Sequence, residues 1–273
     1  MDRRAADVAA RSSGGRTGLV LEAAELSLVY EREGQPVRAV EEVDFKLEAG
    51  ERLVLLGPSG CGKSSILKAV AGFLQPASGH ILIRGQPVTG PGPDRIVVFQ
   101  EFDQLLPWKT ARQNVAFPLL VAKRIGRQEA YRYADDALRK VGLSHVLDAF
   151  PHTLSGGMKQ RVAIARALVT QAEILLMDEP FAALDALTRN RLQTDLLALA
   201  EELKFTLVFV THSVEEAVLI GTRIQVLGGR PGRTVATISV DAPQLKDRTT
   251  FEFQDIVRHI HGYLQSEGTE KAA

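Results

Sequence analysis

The segment LVLLGPSGCGKSSILKAVAGFL constrains this chain more than any other. Four apolar residues at 53–56 read as a buried strand, a glycine-rich turn follows, and Ile66, Leu67, Val70 and Leu74 then recur at helical spacing. Gly57, Gly62, Lys63 and Ser64 fit G-x-x-x-x-G-K-[ST] in the strand, turn and helix context that this loop requires. Glycines let the backbone curl until successive N–H groups converge on phosphate oxygens, and a helix starting near Lys63 adds the positive end of its dipole. Lys63 is expected to reach the β- and γ-phosphates of a nucleotide. Ser64 is expected to offer its hydroxyl to Mg²⁺, an ion that keeps much of its water and needs only one or two protein oxygens.

The rest of the chain reads as an α/β fold around that loop. Short β-favouring runs between residues 19 and 88 suggest an antiparallel sheet beside the nucleotide site. RIVVFQ, EILLMDEP, TLVFVTH and RIQVLG alternate with helical patterns, which argues a mainly parallel core sheet covered on both faces. From Gln100 to about Ser155 the strand signal gives way to helices, one of them ended by Gly142, so a helical subdomain is expected at about 101–160. In FEFQDIVRHIHGYL, the residues Phe253, Ile256, Val257, Ile260 and Leu264 lie at helical spacing and predict a helix packed back on the body. The expected division is a disordered tail at 1–17, a nucleotide-binding unit at 18–240 and a C-terminal helical extension at 241–273.

Composition narrows the function. Thirty-three Lys and Arg balance 33 Asp and Glu, so no basic surface is left over for nucleic acid. A single cysteine, Cys61, rules out an intrachain disulfide. No apolar run reaches the roughly 18–20 residues of a membrane-crossing helix, and the N-terminus lacks the apolar middle of a signal peptide, so the chain is expected on the cytoplasmic side.

Two further motifs carry chemistry. EILLMDEP sets Asp178 at the end of a buried-type strand, where its carboxylate is suited to the magnesium ion, and Glu179 next to it is the candidate general base for the attacking water. In LSGGMKQRVAIARAL, Ser155, Gly156 and Gly157 open a second helix whose start is also suited to an anion. One nucleotide does not obviously need two such helix starts, and the natural use of the second is a nucleotide shared between two chains.

These motifs, in this order and over most of the chain, resemble the ATP-binding cassette family. The resemblance implies the following roles. Tyr30 stacks on adenine, and Gly57, Pro58, Ser59, Gly60, Cys61, Gly62, Lys63 and Ser64, with Ser65 after them, form the Walker A loop. Gln100 is the Q-loop glutamine, a catalytic residue that joins Ser64 and Asp178 at the metal and lies between it and the helical subdomain. Ser155, Gly156 and Gly157 belong to the signature, Asp178 and Glu179 end Walker B, Asp185 closes the D-loop, and His212 is the switch histidine at the γ-phosphate. Met158 departs from the glutamine that many members carry at the fifth signature position. Together with PGPDRIVVFQ, LLPW and MDEPFAALDALTR, it resembles the nitrate, sulfonate and taurine importer branch.

The resemblance implies an ATP-hydrolysing subunit with ATP and Mg²⁺ as cofactors, a homodimer closing over two nucleotides, two membrane permease subunits and an external solute-binding protein. It places the chain at the cytoplasmic face of the membrane. A cassette ATPase acting on DNA or ribosomes is the alternative, disfavoured by the absence of heptads, a basic patch or a second phosphate loop. An exporter cassette is another alternative, which the importer-like motifs disfavour. Two expectations can be checked directly against the fold: Leu105, Leu106, Trp108 and Phe117 line a groove for a permease helix, and ATP shields Cys61 from a bulky thiol reagent.

Overall fold

The structure, a computed structural model, describes residues 18–32, 34–100, 104–122 and 125–269; the expected tail at 1–17 lies outside the described residues. β1 (Leu19–Arg32) and β2 (Gln35–Glu48) mix buried and exposed side chains along their length, as strands with one covered face do. They pair antiparallel, and β4 (Ser78–Ile83) and β5 (Gln86–Pro87) extend the sheet in the order β2-β1-β4-β5. This is the antiparallel sheet expected between residues 19 and 88.

β3 (Arg52–Leu56) is buried at all five residues, as a strand covered on both faces must be. It runs parallel to β8 (Thr206–Thr211) and β9 (Arg223–Gly228), while β7 (Ile174–Asp178) runs parallel to β8 and to β6 (Arg95–Val98). β10 (Arg233–Ser239) pairs antiparallel with β9 at one edge, giving the order β10-β9-β3-β8-β7-β6. β10 adds to the strands expected from sequence. Its RTVATIS run is half-exposed, so it shows little of the apolar signal that marks the inner strands.

Side chains of the central strands alternate between two cores. Leu53, Leu55, Val208 and Val210 join α1 (Lys63–Ala71) and the antiparallel sheet. Val54, Leu56, Leu207 and Phe209 face the other way, toward the remaining helices.

Those helices include α2 (Ala111–Ala122) and α3 (Arg127–Lys140) from the expected helical region, and α4 (Gly156–Leu168), which starts near its end and runs beyond it. α3 buries Ala130, Ala134, Ala137 and Leu138, a stripe at helical spacing whose small residues let its neighbours approach. Gly142, with φ of 73°, then takes the left-handed turn that stops the helix. α5 (Ala186–Leu203), α6 (Val214–Ile220) and α7 (Phe251–Thr269) complete the layer. Phe253 and Ile260 of α7 are fully buried and Val257 nearly so, which seats this helix on the body as its periodicity predicts. Each such side chain contributes roughly 1.5–3 kcal/mol relative to exposure.

Candidate active site

β3 leads directly into the phosphate-type loop, and the surroundings explain its glycines. A Cβ at Gly57 would lie 2.4 Å from the Leu227 carbonyl oxygen, and one at Gly62 2.4 Å from the Val40 side chain. Gly62, at φ 91°, is the N-cap of α1; no side chain caps the helix, and its first turn holds no acidic residue. The N–H groups at this helix start therefore remain available to an anion. Lys63 is 4% exposed and bends back over the loop, where its Nζ donates to the carbonyls of Gly57 and Pro58, both at 2.8 Å. Tyr30, at the far end of β1, donates its hydroxyl to Ser65 Oγ at 3.1 Å and so borders the first turn of α1.

Ser64 donates its hydroxyl to Asp178 Oδ1 at 2.9 Å. Burial pushes the Asp178 carboxyl above its ordinary range; the Ser64 hydrogen bond opposes that shift, and the neighbouring Glu179 charge adds to it.

The register of β7 on β8 then sets the next contact. Asp178 pairs with Val210, so the residues just past both strands emerge side by side. Glu179 adopts φ of 44°, a left-handed conformation uncommon for a residue with a side chain, and its N–H is held by the Val210 carbonyl at 3.0 Å. Its Oε2 lies 3.0 Å from His212 Nδ1. The pair lines a cleft with Ala182, Arg189, Thr211, Ser213 and Glu216.

A second group forms where α4 and α5 begin. Ser155 is the N-cap of α4 and accepts from the Met158 N–H at 3.3 Å. Gly156 follows it. Gly157 is buried so closely against α5 that a Cβ there would meet Thr188 at 2.6 Å. Asp185 is the N-cap of α5, accepting from the Thr188 N–H at 3.0 Å, and that bond holds its carboxyl below the ordinary range.

The structure thus gathers Tyr30, residues 57–65, Asp178, Glu179 and His212 at one site, with Ser155, Gly157 and Asp185 at a neighbouring one. Gln100 is exposed and lies beyond β6, which ends at Val98 rather than at the glutamine. Among the described residues no hydrogen bond joins Gln100 to Ser64 or Asp178.

Cys61 corrects an expectation. It is 1% exposed and burial raises its thiol pKa, so neither access nor thiolate character favours a bulky reagent. The apolar run after Gln100 also divides: Leu105 belongs to the local core, whereas Trp108 is 70% exposed.

Arg230 escapes sequence reasoning altogether. It reaches from the β9–β10 turn to donate to the Ser59 carbonyl at 2.9 Å, and in the same turn a Cβ on Gly232 would overlap the Cys61 carbonyl. Only the R-P-G string of that turn marks the place, and nothing local links it to a loop 171 residues earlier.

A glycine loop closing on the start of α1, beside a serine–aspartate pair at the carboxyl ends of parallel strands, is the arrangement of a nucleoside-triphosphate-hydrolysing P-loop protein. Within that class, residues 40–182 match the ABC transporter family, more than half of the chain. The chain is 49% identical over 210 residues to the taurine import ATP-binding protein TauB of Rhizobium johnstonii, covering 77% of this chain and 79% of the relative. It is 43% identical over 239 residues to the nitrate import ATP-binding protein NrtC of Synechococcus elongatus, covering 85% of this chain and 36% of that protein. Among solved structures, it is similar to the dimeric, post-hydrolysis state of the ATP-binding cassette MJ0796 bound to ADP and Pi. The TM-score is 0.71 at 29% identity, covering 81% of this chain and 99% of the other. The chain belongs to the ABC transporter family and carries its ATP-binding cassette.

Proposed function

We propose that this chain is the ATPase subunit of an importer that takes up a small anionic solute such as nitrate, taurine or another sulfonate. The observation that carries the hydrolytic role is the Glu179–His212 pair, 3.0 Å apart, beside the Ser64–Asp178 pair. The two importer relatives, one for taurine and one for nitrate, support the transport role and the solute class over action on DNA or ribosomes.

The donor set fits Mg²⁺: a hydroxyl and a carboxylate, both hard oxygens, with the rest of the shell left to water and phosphate. Ser64 and Asp178 hold the ion, which when bound neutralises phosphate charge. Lys63 exchanges its two loop carbonyls for phosphate oxygens, and the uncapped start of α1 supplies N–H donors. Glu179 accepts a proton from the attacking water, and His212 orients that carboxylate and faces the γ-phosphate. Tyr30 borders the adenine, Gln100 links the metal to the helical subdomain, and Ser155, Gly157 and Asp185 serve the nucleotide of a second copy. The dimeric state of the related cassette supports that last assignment.

Exposed Trp108, with Phe117, faces two permease subunits at the cytoplasmic side of the membrane, and an external solute-binding protein acts through them. Among the described residues no helix is long and apolar enough to cross a membrane. The cassette takes in residues 18–240, with the helical subdomain at about 101–160; of the proposed helical extension at 241–273, residues 270–273 lie outside the described residues.

Glu179→Gln tests the central assignment. ATP binding should persist, hydrolysis should fall by at least about 100-fold, and an ATP-dependent dimer should accumulate in light scattering. Hydrolysis at the normal rate would remove Glu179 from the role. Co-purification from gently solubilised membranes tests the partner: a multi-span permease is expected, and recovery with ribosomes or DNA instead would overturn the importer reading.

A further inference from the structure

The C-terminal segment reaches the hydrolytic pair through a chain of hydrogen bonds whose middle links, Gln193 to Glu216 and Thr211 to Glu216, are buried. Arg248 precedes α7 and sends its guanidinium into α5, where it donates to Asn190 Oδ1 at 2.7 Å and to Gln193 Oε1. Gln193, 1% exposed, donates from Nε2 to Glu216 Oε1 at 2.8 Å. Glu216, on α6, takes a second bond on Oε2 from the Thr211 hydroxyl at 2.6 Å. Thr211 Oγ1 in turn accepts the Ser213 N–H at 3.0 Å. Thr211 and Ser213 are the two chain neighbours of His212.

Each link sets the polarity of the next. A glutamine amide can present either end, but a guanidinium only donates. Arg248 therefore holds the Gln193 oxygen toward itself and leaves the amide N–H groups for the carboxylate of Glu216. That carboxylate only accepts, so Thr211 must donate to it, which frees a lone pair on Thr211 Oγ1 for the Ser213 N–H. The backbone on both sides of His212 is then held, which sets the point from which its ring reaches Glu179.

We propose that Arg248 is a positioning residue for ATP hydrolysis, acting through Gln193, Glu216 and Thr211 to hold His212 against Glu179. The proposal rests on the reading of Glu179 and His212 as the hydrolytic pair; Glu179→Gln tests that reading separately and is measured first.

The competing explanation is that Arg248 merely anchors the C-terminal segment. Lys246 provides the control, because it anchors the same segment by donating to the carbonyls of Val218, Gly221 and Val240 without touching the relay. Steady-state hydrolysis by the full chain with Mg²⁺ and ATP is the assay, with thermal unfolding alongside. Arg248→Ala should lower kcat about 10-fold with the KM for ATP within about twofold, since nothing that binds nucleotide is removed. Lys246→Ala should lower the thermal midpoint and leave kcat within about twofold. Arg248→Lys, which keeps one charged donor, should recover part of the loss. The proposal is overturned if Arg248→Ala leaves kcat unchanged, or if Lys246→Ala lowers kcat as much as Arg248→Ala does. Should Arg248→Ala fail to fold, Asn190→Ala at its exposed second anchor decides: a drop in kcat of at least about threefold at constant KM supports the relay, and a kcat within about twofold overturns it.

Discussion

The starts of α1 and α4 are both built on small residues, and both lack an acidic side chain in the first turn, yet they differ in what they have left to offer. At α1 no side chain caps the helix, a lysine lies folded over the loop, and Ser64 of the first turn donates to Asp178 at 2.9 Å. At α4 the first N–H groups are partly spent on the helix's own serine, and Asp185, at the start of the adjoining α5, is itself occupied as a cap. The two carboxylates carry the same contrast: burial raises Asp178, whereas an N–H bond lowers Asp185. The first start holds the parts of the proposed phosphate and metal site within one chain. The second has a serine hydrogen still free to donate and two glycines that allow close approach, so it is suited to a phosphate that something else has already bound.

The largest effect that can break this comparison is at Lys63. Lys63→Ala should weaken ATP binding by a single chain by at least about 30-fold, the scale of losing one buried, charge-assisted partner. Equilibrium binding measures it, and near-normal affinity would mean that the α1 start is not the primary phosphate site.

Ser155→Ala should act differently. Binding to one chain should stay within about twofold, while hydrolysis falls by about 10- to 100-fold through loss of one preorganised phosphate contact. The missing cap alone costs about 1 kcal/mol of stability. If binding by one chain collapsed, the two starts would have to be serving the same nucleotide within one molecule.

A pH series sharpens the carboxylate contrast. Without metal, burial raises Asp178 in the folded state, so Mg²⁺ must displace a proton held to higher pH than on an exposed aspartate, and Mg²⁺ affinity should weaken earlier on acidification. Stability has the opposite sign: the contribution of protonated Asp178 is full below the unfolded value of 3.8 and is lost as pH rises through the raised folded value. Asp178→Asn should flatten that stability slope, and an unchanged slope would count against burial as the cause. The smallest effect concerns Cys61, which should react at least about 10-fold more slowly in the folded chain than in the unfolded one, with or without ATP. Rapid labelling that ATP prevents would restore a more open loop than the packing around Gly57 and Gly232 allows.

Much of this site is legible in the linear chain. The phosphate loop is contiguous, and its roles follow from spacing because the chain's own geometry carries each residue to its place. The strands around it announce themselves by burial on both faces, and α7 by a single apolar stripe. Edge strand β10 is not legible, because an edge needs little apolar character. Nor is Arg230 legible, since a lone arginine in a glycine-rich turn looks like any solvated charge. The shielding of Cys61 depends on a β9–β10 turn that no local pattern connects to the loop.

By itself the sequence determined which residues are candidates for the chemistry and in which local setting: a loop before a helix, an aspartate and a glutamate ending a strand, a histidine after another strand. Tertiary structure alone decided how these settings meet. Glu179 and His212 are 33 residues apart and touch only because β7 and β8 are parallel neighbours in one register. Arg248 and Gln193 are 55 residues apart and meet only because Phe253, Val257 and Ile260 seat α7 on the body. The physical reason is that spacing along the chain is covalent and local, whereas sheet register and core packing are collective. They emerge only when every strand and helix has buried its apolar face at once.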